Sequence, residues 1–188
     1  MLSVVAGGEK SKKHGELPVN RNIELKARHP DLDGAREAAR SLGAVAGGIL
    51  EQTDTYFHVS RGRLKLRQFG SGAMAELIWY SRENSIAFRA SDYIVTPIPD
   101  APTALAALTA ALSVRGVVRK RRELWMLANI RIHLDQVRDL GNFVEFEAVM
   151  GPADDEGEAR DALRSLCEAL RILESDRVAV SYSDLAGI

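Results

Sequence analysis

Two short stretches decide the fold: Arg63-Leu64-Lys65-Leu66-Arg67 and Phe143-Val144-Glu145-Phe146-Glu147. Each alternates charged and apolar residues, as a β-strand with two different faces does. One stretch collects cations and the other carboxylates, so charge is sorted by strand. Facing water, Arg63, Lys65 and Arg67 would repel one another for little gain. Inside a closed barrel they would cradle phosphate oxygens instead. Glu145 and Glu147 lie about 7 Å apart along their strand. Two like charges so placed call for a cation, and Mg²⁺ or Mn²⁺ suits carboxylate oxygens. The ordinary reading of alternation, charges outward over an apolar core, is the competing one.

The same pattern continues along the chain. Asn22, Glu24, Lys26 and Arg28 share a face of the segment 21–28; Glu76, Tyr80 and Arg82 share another. Lys120 and Arg122 form a pair, and Arg131, His133 and Asp135 a further face. The spacing predicts strands over 21–28, 50–59, 62–69, 75–82, 90–95, 116–127, 130–134 and 142–149. It predicts helices over 31–42, 103–112 and 154–173, with Asp31 or Asp33 and Thr103 as caps. Gly70-Ser71-Gly72 reads as a turn, Pro97 to Pro102 as the close of a block, and 176–185 as a short strand and turn. The expected fold is α+β: an eight-stranded antiparallel closed barrel with about three helices packed outside.

Composition fits one domain over residues 20–188, preceded by a mobile Gly-, Lys- and Ser-rich arm over 1–19. The 188 residues are 46% hydrophobic and carry 25 basic and 26 acidic side chains, for a net charge of −1. That balance argues against a nucleic-acid partner. The one cysteine, Cys167, excludes an internal disulfide and falls on the apolar stripe of the third helix. No run of 18 apolar residues and no signal peptide is read, so a cytoplasmic protein without a membrane span is expected. A homodimer is the expected assembly. Trp79, Trp125 and Phe146 read as packing residues; Tyr80 and Phe143 fall on the inner faces.

The motifs, in this order, resemble the CYTH superfamily of triphosphate tunnel metalloenzymes, nearest its class IV adenylyl cyclase branch. They are Asn22-Ile23-Glu24-Leu25-Lys26, Arg63-Leu64-Lys65-Leu66-Arg67, Arg119-Lys120-Arg121-Arg122, Arg131-Ile132-His133-Leu134-Asp135, Phe143-Val144-Glu145-Phe146-Glu147 and Ser181-Tyr182-Ser183-Asp184-Leu185. Asn22 departs from the family's Glu-x-Glu-x-Lys pattern. The resemblance implies metal ligands at Glu24, Asp135, Glu145 and Glu147. It implies catalytic roles for Lys26, Glu24 and Arg122. Substrate contacts would come from Arg28, Arg63, Lys65, Arg67, Glu76, Arg82, Lys120, Arg131 and His133. His133 is also a candidate general base, or simply a hydrogen-bonding residue of the barrel. The implied activity is conversion of ATP to cyclic AMP and pyrophosphate. Thiamine or inorganic triphosphatase and a non-catalytic triphosphate binder are the alternatives; an apolar-ligand barrel conflicts with the charged inner faces.

Overall fold

The computed structural model describes residues 19–70 and 74–188. The expected arm before Val19 and most of the expected turn at 70–72 lie outside the described residues. Eight strands form a closed antiparallel barrel: β1 (Asn20–Arg28), β2 (Val45–Phe57), β3 (Arg63–Phe69), β4 (Ala75–Arg82), β5 (Arg89–Ile98), β6 (Val114–Leu127), β7 (Ile130–Val137) and β8 (Gly141–Met150). Around the barrel they run β1-β5-β4-β3-β2-β6-β7-β8, with β8 returning to β1. Each of these strands therefore has a neighbour on both sides over at least part of its length.

Alternation has one meaning throughout. Even residues of β1, β2, β4 and β6 and odd residues of β3, β5, β7 and β8 supply the cavity lining inside the barrel. The opposite residues carry the core, which lies outside the barrel wall. Ile23, Leu25, Ile132, Leu134, Val144 and Phe146 pack under Leu32, Ala35 and Ala39 of α1 (Leu32–Ser41) and Leu163, Leu166 and Cys167 of α3 (Glu156–Ala169). Burying a side chain such as Phe146 contributes about 2–3 kcal/mol. On the other flank, Phe57, Leu66 and Ala75 meet Ala101, Leu105, Leu108 and Leu112 of α2 (Ala101–Leu112).

Several boundaries differ from expectation. β2 starts at Val45, and a register shift between Ala46 and Gly48 absorbs one residue. β5 runs through Pro97; β1 pairs with it only from Arg89 to Tyr93, so beyond that point Pro97 has a ladder on one side and its missing N–H is tolerated. Asp100, not Thr103, caps α2, its carboxylate accepting from the Thr103 N–H. Asp31 caps α1 and Asp155 caps α3 in the same way.

The tail is not a strand. It makes a 3₁₀ turn at Glu174–Asp176, a single bridge from Arg177 to Ala27, and a short helix α4 (Tyr182–Leu185). α4 seals one end of the barrel. Tyr182 packs with the inward-facing Tyr56, Val118, Val137 and Phe143, its ring edge-on to Phe143 at 5.0 Å between centroids. Ser181 and Asp184 form a reciprocal capping box. Asp184 also accepts from Arg63 and Arg115, each at 2.9 Å, which ties α4 to β3 and β6. Gly116 leaves the space that the Ile188 side chain fills. The tunnel is thus a cup with a floor.

Candidate active site in the barrel lumen

The cup encloses a cavity of about 600 Å³. Lys26, Lys65, Arg67, Arg82, Lys120, Arg122 and Arg131 face it, together with Glu24, Glu76, Glu145 and Glu147. These charged side chains belong to six of the eight strands, so only barrel closure brings them together.

The basic wall is braced from behind. Asp54 of β2, 1% exposed, accepts from Lys65 at 3.0 Å, from Arg67 at 2.8 and 2.9 Å and from Lys120 at 3.2 Å. Burial works to raise its pKa, but Arg67, Lys120 and Lys65 hold the carboxyl well below its ordinary value. Burial and the neighbouring Arg67 push the Lys65 ammonium down to about 8, against the pull of Asp54. Burial and Arg122 lower Lys120 as well. These cations are crowded and dry, and an arriving polyanion would relieve them.

The acidic side is organised by β1, β7 and β8. Lys26 and Glu145 are register partners, as are Glu24 and Glu147 and, across β7–β8, His133 with Glu145. Lys26 Nζ lies 2.9 Å from Glu145 Oε1 and 4.1 Å above the Tyr182 ring. Arg122 reaches Glu145 Oε2 at 2.8 Å and grips Asp135 with two bonds of 2.7 and 2.6 Å. His133 Nδ1 stands 3.5 Å from Glu145 Oε2 and 3.9 Å from Glu147 Oε1. Burial tends to raise both glutamates. Lys26, His133 and Arg122 outweigh it at Glu145, and His133, Arg122 and Arg131 at Glu147, so both stay ionised.

The CYTH domain family matches residues 20–182, nearly all of the described chain. The chain belongs to that family. Solved structures agree on the fold. PH1012 protein from Pyrococcus horikoshii OT3 is 24% identical, with a TM-score of 0.78 over 87% of this chain and 98% of that one. A putative adenylate cyclase from Vibrio parahaemolyticus is 21% identical, with a TM-score of 0.73 over 89% and 98%. HpAC1 from Hippeastrum, described as a putative adenylyl cyclase with a dominant triphosphatase activity, is 13% identical, with a TM-score of 0.62 over 89% and 93%. A search of curated proteins finds no match.

Within this CYTH barrel, most expected site residues meet in the cavity: Glu24, Lys26, Lys65, Arg67, Glu76, Arg82, Lys120, Arg122, Arg131, His133, Glu145 and Glu147. Three lie elsewhere. Arg28 sits at the closed end, stacked over Phe143 at 5.0 Å and donating to the Leu140 carbonyl. Arg63 is the latch to Asp184. Asp135 is fully buried behind Arg122 and accepts from the Tyr182 hydroxyl at 2.8 Å.

The expected metal set therefore does not converge as a whole. Asp135 is occupied by Arg122 and Tyr182. Glu24 lines the cavity, but Arg82 at 3.0 Å and Arg89 at 3.1 Å compensate its charge. Among the described residues, the group whose donor atoms all lie within 4.8 Å of one another is His133, Glu145 and Glu147. Two carboxylates and an imidazole fit a divalent cation. Asp54, Arg89 and Tyr182 are the participants the sequence reading missed. Asp54 belongs to the alternation Gln52, Asp54, Tyr56, which was the available signal.

Proposed function

We propose that this CYTH barrel binds a nucleoside triphosphate tail-first and converts ATP to cyclic AMP and pyrophosphate, as a class IV-type adenylyl cyclase. The observation that carries this is a cavity with α4 packed across one end, whose cations lie on several strands around one lumen, with the carboxylates of Glu145 and Glu147 among them. A triphosphate entering such a cup places its terminal phosphates among Lys65, Arg67, Lys120 and Arg122. The nucleoside is left towards the mouth, beside Leu50, Phe69, Tyr93, Val95 and Val149.

In cyclisation, the ribose 3′-oxygen attacks the α-phosphorus in line, its proton passes to solvent water, and the bond to the pyrophosphate oxygen breaks. The negative charge that gathers on the leaving group falls within reach of the basic wall, which neutralises it without reorganising. Lys26 and Arg122 are the residues assigned to stabilise charge nearest Glu145. Arg82, Arg131 and Glu76 hold the substrate further out. A bound Mg²⁺ or Mn²⁺ would add Lewis-acid neutralisation of the phosphate oxygens.

A second reading, hydrolysis of a triphosphate, is favoured by the character of the mouth. Leu50, Phe69, Val95 and Val149 give that region apolar surface, with Asn20 and Tyr93, register partners, as polar groups beside them. HpAC1 gives a fold-level parallel for such an outcome. The purified protein, incubated with ATP, GTP, thiamine triphosphate or tripolyphosphate and either metal, separates the readings by product. Cyclic AMP with equimolar pyrophosphate supports cyclisation. Phosphate without any cyclic product refutes it in favour of hydrolysis, and tight binding without turnover leaves a triphosphate binder.

A further inference from the structure

We propose that His133 is itself a metal ligand in this barrel, completing a site with Glu145 and Glu147 that takes Mn²⁺, or a similar first-row divalent ion, in preference to Mg²⁺. The proposal deepens the triphosphate reading above, and rests on it only for the ion's purpose.

Four observations lead there. His133 is 3% exposed and faces the lumen from β7, opposite Glu145 in register. Its Nδ1 is too far from Glu145 and Glu147, at 3.5 and 3.9 Å, for good hydrogen bonds to either. Adjacent ligands of an ion held at about 2.2 Å stand about 3.1 Å apart; the three donors lie within 4.8 Å of one another, a gap that rotation of the two glutamate side chains closes.

The carboxylate of Glu24, on the neighbouring strand, is already matched by two guanidinium groups. Glu145 is likewise matched by Lys26 and Arg122, whereas Glu147 is met by Arg131 alone, at 3.3 Å, so among these carboxylates an ion entering the cup finds Glu147 the least compensated. Arg122, which shares Glu145 Oε2, keeps both bonds to Asp135 when it releases that oxygen. Glu145 can therefore offer Oε2 to an ion while its Oε1 keeps Lys26, and no buried charge is orphaned.

Asn22 supplies the independent sign of a ligand. Its side chain is 4% exposed, lines the same cavity, and its Oδ1 has no hydrogen-bond partner. It precedes Glu24 by two residues, and Glu24 is the register partner of Glu147, so Asn22 is Glu147's diagonal neighbour on the lumen face. A buried amide oxygen without a donor is a cost unless something arrives to use it. An amide oxygen and an imidazole nitrogen beside two carboxylates give a mixed donor set suited to a divalent ion.

Selectivity follows from the nitrogen. Mg²⁺ favours oxygen donors and dehydrates reluctantly, whereas imidazole suits first-row transition ions.

Mn²⁺ binding to the whole protein, without triphosphate, is read by loss of the free-ion paramagnetic resonance signal, with Mg²⁺ as competitor. Mn²⁺ is expected to bind at least about ten-fold tighter than Mg²⁺. The bound ion should show ¹⁴N coupling in pulsed spectra, lost in His133→Gln while binding weakens. Glu147→Gln should weaken Mn²⁺ binding in parallel. Failure of Mn²⁺ to bind, equal affinities for the two ions, a wild-type spectrum without nitrogen coupling, or coupling that persists in His133→Gln would each overturn the proposal. The wild-type spectrum decides alone if the variant does not fold. Metal-free binding of tripolyphosphate, measured alongside, tests the triphosphate reading separately.

Discussion

Lys65 is the residue whose chemistry is most exposed to experiment. Its ammonium, ordinarily near 10.5, is held at about 8 by burial and Arg67. A bound triphosphate favours the charged form and raises that value. Binding must then take up protons at and above pH about 8, and affinity must fall as pH rises through that range. Titration calorimetry with tripolyphosphate in two buffers of different ionisation heat should reveal the uptake, and Lys65→Arg should reduce it. The sign for stability is opposite to that of a gained ion pair. A depressed lysine costs stability while it stays charged below about pH 8, and the cost fades as pH climbs towards its unfolded value. Asp54 makes a second case. Asp54→Ala leaves Lys65, Arg67 and Lys120 facing one another in a dry wall, and should cost about 3–5 kcal/mol in urea unfolding. Tripolyphosphate should then raise the melting temperature of the variant more than that of the wild type. Asp54 was hard to see in the sequence for the same reason that it matters. It is a lone acid between threonines, so the sorting of charge by strand, which exposed Lys65 and Glu145, could not single it out.

At the scale of elements, α4 shows what local sequence can hide. Ser181-Tyr182-Ser183-Asp184 carries a capping signal, Ser followed three residues on by an acid, but four residues are too few to announce a helix by periodicity. Their role comes from where the barrel ends, and no local rule contains that. Tyr182→Ala removes the ring that meets Phe143 and Lys26 and the hydroxyl that meets Asp135, and should cost about 3–5 kcal/mol. Tyr182→Phe removes only the hydroxyl and should cost about 1–3 kcal/mol, since it leaves Asp135 with Arg122 alone. Chemical denaturation of both variants checks the order. β1, β3 and β8 were legible to within a residue because strict alternation of charged and apolar groups has one period, whereas β7 runs three residues past its expected end at Leu134. β2 was not: Val45 to Ile49 includes two glycines and an irregular register, so the pattern starts later than the strand.

For the molecule as a whole, the sequence supplied the number of strands and which face of each meets the lumen, and closure followed from the need to shelter like charges. The floor of the tunnel did not follow, and it has a kinetic consequence. With α4 across one end and the triphosphate tail deepest, the product formed near the mouth leaves first. On the cyclisation reading, cyclic AMP departs before pyrophosphate. Pyrophosphate should then inhibit competitively against ATP, and cyclic AMP non-competitively, in steady-state product inhibition. The reverse pattern would mean that the tail does not lie at the floor.

The inward and outward residues trade places at every step along the wall, and this sets what kind of change the chain can survive. Substitution within either set leaves the other where it was. Removing or adding one residue in the middle of β3 or β8 would turn cations or carboxylates into the oily contact with the helices and send leucines into the cup. Near Ala46 to Gly48 the irregular pairing already accommodates an unpaired residue without reversing the strand beyond it. Variation in length should therefore collect at the ends of strands and at that irregularity, while strand interiors vary by letter but not by count.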